Sequence, residues 1–163
     1  MLKLAGGVFV LTAGFLARRA VVSKLQASLD VCHAMGAALL WMEVQVRMEL
    51  APVPRLLPRL SQRAIVGDFF AVVAQEIERG RSLYEAWTDA LAVLPLCGDE
   101  CETLRALGER LDGEEESVCR ALAAAARELE KNFANRKVEF CERKRLYSAL
   151  CFGGSALFVI VLI

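Results

Sequence analysis

Ser82-Leu83-Tyr84-Glu85-Ala86-Trp87-Thr88-Asp89-Ala90-Leu91 reads as a helix that carries its own start signal. Ser82 and Glu85 have the capping-box spacing, in which the serine side chain accepts from a first-turn amide and the glutamate reaches back to the cap. Leu83, Ala86, Trp87, Ala90, Leu91 and Leu94 recur at helical spacing and define one apolar face, and Pro95 ends the run. Upstream, Gly80 suits the left-handed position that closes a preceding helix over Ala64 to Arg79. Downstream, a helix is expected from about Asp99 to Leu111, with Cys101, Leu104, Leu107, Gly108 and Leu111 on one face, and Asp112-Gly113 is a turn.

The helical period extends outward in both directions. Leu25, Leu29, Cys32, Gly36 and Leu39 lie on a long first helix whose apolar pattern continues through Leu40 and Val44 to about Leu50, where Pro52 and Pro54 break it. A short helix around Pro54 to Arg63 follows, with Pro58 inside it as a point against. Glu114, Glu115 and Glu116 open the last helix, where negative charge meets the positive end of the backbone dipole. Val118, Leu122, Ala125, Leu129, Phe133 and Phe140 form its stripe. No run alternates with period two for long enough to argue a strand, so the fold class is all-α, an antiparallel helical bundle.

Beyond the bundle the chain turns apolar. Residues 4–17 and 146–163 contain no charged residue. The second run reaches the roughly 18 residues that mark a membrane span. The first is shorter, but Arg18 and Arg19 at its end can snorkel to the interface. A cleavable signal peptide is the rival for the first run, and no small-residue cleavage pattern supports it. The expected organisation is an N-terminal transmembrane helix over 1–22, a cytosolic helical bundle over 23–145 and a C-terminal transmembrane helix over 146–163. Arg18, Arg19 and Lys24 follow the first run and Arg143, Lys144 and Arg145 precede the second, while only Lys3 lies on the far side. Positive charge stays cytoplasmic, which makes these residues topology anchors and adds contact with anionic membrane lipids as a secondary effect.

This partition accounts for the composition. Of the 163 residues, 56% are hydrophobic and 25% charged, the net charge is zero, and the mean hydropathy is +0.39, so a soluble-type charge content sits beside an apolar excess. Balanced charge argues against a nucleic-acid partner. Of the six cysteines, Cys32, Cys97, Cys101, Cys119 and Cys141 lie in a reducing compartment on this topology and Cys151 lies in the bilayer, so free thiols acting as small hydrophobes are expected. Cys97 and Cys101 share a helix face but lack a second pair, and His33 is the only histidine, so no metal and no cofactor is expected. With no phosphate-binding glycine loop, no CxxC and no nucleophile–base system, no catalytic residue is assigned and the chain is read as a non-enzyme.

Several local motifs, together with this arrangement, resemble the stage III sporulation protein AB family of endospore-forming bacteria over nearly the whole chain. Met42-Glu43 leading to Pro52-Val53-Pro54 and Leu57 is similar to the family's Leu-Glu followed by Pro-Leu-Pro. Gly80-Arg81-Ser82-Leu83-Tyr84-Glu85-Ala86-Trp87 matches its Gly-x-Ser-x-x-Glu-Ala-Trp, the most specific element. Leu107-Gly108-Glu109-Arg110-Leu111 and the glycines Gly153-Gly154 of the last run complete the resemblance. The chain departs from the pattern at Gln45, Asp112, Glu115 and Cys119.

The resemblance implies a platform-protein-like bundle, similar to the helical domain of the inner-membrane platform of type II secretion machines. It further implies a component of the channel complex between mother cell and forespore, in the mother-cell membrane facing the forespore, that docks a cytosolic secretion-type ATPase and other membrane proteins of that channel. The alternative is a small oligomeric membrane protein acting in export or channel assembly without an ATPase partner. Ala13 with Ala17 and Ala149 with Gly153 have the small-xxx-small spacing that allows spans to pack, including as a homo-oligomer. Candidate partner contacts are Trp41, Trp87, Glu114, Glu115 and Glu116, with a buried core role the stronger reading for Trp87 and a solvated helix start for the glutamates.

Overall fold

A computed structural model describes the backbone of residues 2–162 and the side chains of residues 23–141. Six helices follow one another, α1 (Leu2–Glu49), α2 (Val53–Leu60), α3 (Gly67–Glu78), α4 (Leu83–Leu91), α5 (Gly98–Gly108) and α6 (Glu115–Leu162), with no strand among the described residues. Residues 1–22 and 146–163, expected to span a membrane, lie outside the described side chains, as do the anchors Arg18, Arg19, Arg143, Lys144 and Arg145. Among the described residues no helix is long and apolar enough to cross a membrane.

The two long helices run antiparallel. The Cys32 thiol meets the Leu129 carbonyl at 3.4 Å, the Cys119 thiol meets the Glu43 carbonyl at 3.8 Å, and Arg136 Nη2 donates to Ser28 Oγ at 3.2 Å. Each step forward on α1 is thus a step back on α6, which puts Ser28 and Arg136 at one end of the bundle and Glu43 and Cys119 toward the other. The four short helices close the second side, each packed on the next, from α1 through α2, α3, α4 and α5 to α6.

Pro52, Gly80 and Ser82 act where the sequence places them, whereas α4 ends at Leu91 rather than at Pro95 and α5 at Gly108 rather than at Leu111. Pro52 stands in extended backbone before α2, which keeps Pro58 in its interior, and Val53, Leu56, Leu57 and Leu60 are buried. The segment Ala64 to Val66 forms turns, so α3 starts three residues later than the periodicity predicts. Gly80 has φ +90, a conformation glycine adopts without a Cβ clash. Ser82 Oγ accepts from the Glu85 amide at 3.2 Å, a cap that stabilises a helix by about 1 kcal/mol. The reciprocal carboxylate-to-cap bond forms instead at the next helix, where the Cys97 amide donates to Glu100 Oε2 at 3.0 Å.

The first helix corrects the predicted face. Cys32, Met35, Leu39, Met42 and Val46 are the buried stripe, whereas Leu40, Val44 and Leu50 are exposed. Leu40 and Val44 follow the same four-residue period along an adjacent line of α1, which neither α6 nor α2 covers. Gly36 takes part in the covered stripe, where an added Cβ would sit 3.8 Å from Ala126 and Leu129 of α6.

Candidate functional site

The most distinctive motif is spent on folding. Arg81 pairs with Asp89 at 2.7 Å and with Glu76 at 3.4 Å, and Arg79 also pairs with Glu76, so the α3–α4 turn is tied to both of its helices. Leu83, Ala86 and Trp87 point inward. Trp87 is wholly buried, its indole Nε1 donates to the Leu104 carbonyl at 2.8 Å, and the rings of Phe69 and Phe70 pack against it at centroid distances of 4.9 and 6.2 Å. Gly108 closes this pocket, since an added Cβ would lie 2.7 Å from the indole Cδ1. Trp87 therefore leaves the set of candidate partner contacts, because its surface is committed to the core.

Near the end where the chain enters and leaves the bundle lies a buried polar cluster that the sequence did not reveal. Glu100 is only 1% exposed, yet its carboxylate pairs with the Arg136 guanidinium and caps the start of α5, while Arg136 also reaches Ser28. Burial works against the Arg136 charge, but the hydrogen bond and charge of Glu100 raise its pKa above the ordinary arginine value. The single usable signal was Glu100 three residues after Cys97, a capping spacing. Nothing local connects it to Arg136.

Cys32 sits beside this cluster. Its thiol is pushed up to about 12, first by burial and then by the charge and hydrogen bond of Glu100. Below pH 9 both folded and unfolded states hold the proton and pH has no effect through this group. Between about 9 and about 12 the unfolded chain loses its proton while the folded one keeps it, so stability falls as pH rises. Burial raises the Cys119 thiol in the same direction. At pH 8 a thiol-alkylating reagent is expected to modify the exposed Cys97 and Cys141 and leave Cys32 unmodified, as read by peptide mass spectrometry. Labelling of Cys32 as fast as Cys141 would contradict the buried placement.

At the other end a groove of about 400 Å³ opens between the α1–α2 turn and the start of α6. Val46, Val53, Leu111 and Val118, all buried in the core, form its floor. Leu50, Pro52 and Pro54 stand on one rim and Asp112, Gly113 and Glu115 on the other. Leu50 is 70% exposed and has φ +53, a left-handed backbone that disfavours a residue with a Cβ by about 1 to 2 kcal/mol. Glu114, Glu115 and Glu116 are exposed, and among the described residues neither they nor Asp112 take part in an ion pair. Proline punctuation and a Leu-Asp-Gly turn are ordinary loop signals separately, so their convergence was not readable.

The remaining candidates are scattered. Trp41 does not line the groove; it is half-buried beneath the guanidinium groups of Arg59 and Arg63, 5.0 and 5.5 Å from its ring centroid. His33 stacks on Phe133 at 4.8 Å, across the contact between the long helices. Cys97 caps α5, and among the described residues no group of histidine, cysteine and carboxylate side chains is placed to hold a metal ion.

A short-helix layer closed over an antiparallel pair of long helices, with a groove at one end, defines a small all-helical bundle domain. The chain belongs to the stage III sporulation protein AB family, whose family model matches residues 3–163. A solved structure of a stage III sporulation protein AB superposes with a TM-score of 0.63 at 22% identity, covering 71% of this chain and 97% of that one, which supports the fold. Among curated proteins none matches the chain. The family is a structural component of sporulation rather than a known enzyme family.

Proposed function

We propose that the chain is a non-enzymatic membrane component of the sporulation channel complex between mother cell and forespore, acting as a platform that docks a cytosolic ATPase. The observation that carries this reading is the antiparallel pairing of α1 and α6. Ser28 bonded to Arg136 puts the points where the chain enters and leaves the bundle at one end, which is what two terminal membrane anchors require. The groove lies at the opposite end, where a cytosolic partner would approach. With residues 1–22 and 146–163 as spans and the basic residues beside them held inside, residues 23–145 face the mother-cell cytosol.

The test is co-purification of the full chain, solubilised in detergent, from sporulating cells. Recovery of a hexameric secretion-type ATPase is the expected result. Recovery of the chain without any ATPase, together with ion conductance in liposomes, would favour the oligomeric channel-assembly alternative. Alkaline extraction of membranes checks the anchors, and release of the chain into the soluble fraction would overturn them.

A further inference from the structure

We infer that the outer face of α1, centred on Leu40 and Val44, packs against the same face of a second copy of this chain, with the two helices side by side and parallel. The 12 residues from Val31 to Met42 contain no Asp, Glu, Lys or Arg, the longest such run within residues 23–141. The core of one copy covers only the line through Cys32, Met35, Leu39, Met42 and Val46. On the opposite line Leu40, Val44 and Met48 are 43, 51 and 77% exposed. A helix that is apolar on both faces belongs in a buried setting, and the intramolecular core buries only one of them. α6 is the contrast. Its outer face carries Glu116, Arg120, Arg127, Glu130 and Lys131, all exposed, as a solvated face does.

Register and charge select a second copy as the occupant. Ala37, Leu40 and Val44 follow one another in steps of three and four, the spacing of a coiled-coil seam with Ala37 and Val44 at a positions and Leu40 at d. A β-branched residue at a with leucine at d favours two parallel strands. In a twofold dimer each seam residue meets its own counterpart, so a charged line would set like against like. This line is free of charge between Asp30 and Arg47, where the next a and d positions fall. Those two residues mark the ends of the seam, because there two copies would oppose equal charges.

Orientation comes from the anchors, and here the inference rests on the reading of residues 1–22 and 146–163 as membrane spans. Two copies inserted with the same topology present α1 in the same direction, which is the arrangement a parallel seam requires. The face from Ala37 to Met48 is about 18 Å long and about 10 Å wide. That is well below the roughly 800 Å² each partner buries in a stable soluble complex. Confinement in one membrane raises the effective concentration of the two copies and offsets the shortfall.

The experiment uses the full chain in membranes, with Cys97→Ser and Cys141→Ser removing the exposed native thiols. Val44→Cys in this background, oxidised with copper phenanthroline, should give a disulfide-linked dimer on a non-reducing gel. The background chain, and the same chain carrying Arg127→Cys on the outer face of α6, should lack it. With Leu40→Cys as the reporter instead, Val44→Glu or Val44→Lys alone should abolish the crosslink, and co-expression of the two should restore it. Only a residue that faces its own counterpart turns two self-repelling variants into an attracting pair, and restoration excludes unfolding as the cause of the loss. A Val44→Cys crosslink to a different protein, equal crosslinking from Arg127→Cys, or no restoration in the mixture would overturn the inference. Absence of the dimer from a chain that resists alkaline extraction and recovers the ATPase removes the seam and leaves the platform standing; a restored dimer without ATPase recovery does the reverse.

Discussion

Trp87→Ala is expected to remove about 3 to 5 kcal/mol of folding stability. Three losses combine at this position. A wholly buried indole disappears from contact with Phe69 and Phe70, a cavity opens where Gly108 approaches the ring, and the Leu104 carbonyl loses the Nε1 donor. Against a total of roughly 5 to 15 kcal/mol for a domain, this is a large share. Urea denaturation followed by circular dichroism measures it, with Trp87→Phe as the milder comparison that keeps a ring and removes only the hydrogen bond and part of the volume. A loss under about 1.5 kcal/mol for the alanine variant would show that the surroundings collapse onto the site or that the indole is less buried than described. The companion change Gly108→Ala tests the same pocket from its other wall, because the added Cβ meets the indole at 2.7 Å.

Arg136→Met is expected to destabilise by about 3 kcal/mol, the lower end of the range for breaking a buried ion pair, because the Arg136 side chain retains 21% exposure. Nearly all of the effect comes from Glu100, whose carboxylate is 1% exposed and keeps only the Cys97 amide and the Cys32 thiol as partners. Adding Glu100→Gln to the arginine variant removes the stranded charge and keeps an acceptor for that amide, so the double variant should be more stable than Arg136→Met alone. A double-mutant cycle in urea reads the coupling. Additive losses would mean that the two side chains do not act as a pair. The result also bears on the platform reading, since the pair fastens the start of α5 to α1 and α6 at the end where the long helices leave the bundle.

Much of the fold was readable because its signals are local. Proline at Pro52 and Pro54, a left-handed Gly80, the Ser82 cap and the acidic opening of α6 each act within about one helical turn, and each appears at its predicted place. The candidate sites were less readable. Trp87 carried the residue type of an interface anchor and is buried because Phe69, Phe70 and Gly108 surround it, from helices α3 and α5. Trp41 carried the same ambiguity, and it is the cations of the α2 end, Arg59 and Arg63, that cover its ring. Glu114 and Glu116 remain exposed at a helix start, whereas Glu115 acquires a second setting as part of the groove wall.

The sequence by itself determined the all-helical class, the six helices in order, and two terminal uncharged runs, because propensity, capping and periodicity are properties of neighbouring residues. Only the tertiary structure decided which line of α1 faces the core, setting Met42 and Val46 inside and Leu40 and Val44 outside. It also joined Glu100 to Arg136 across 36 positions, and brought Pro52-Val53-Pro54 opposite Leu111-Asp112-Gly113 to form the groove. The physical reason is that burial and pairing belong to two surfaces at once. A helix carries two adjacent apolar lines in its own sequence, and which one is desolvated depends on where the partner helix lies.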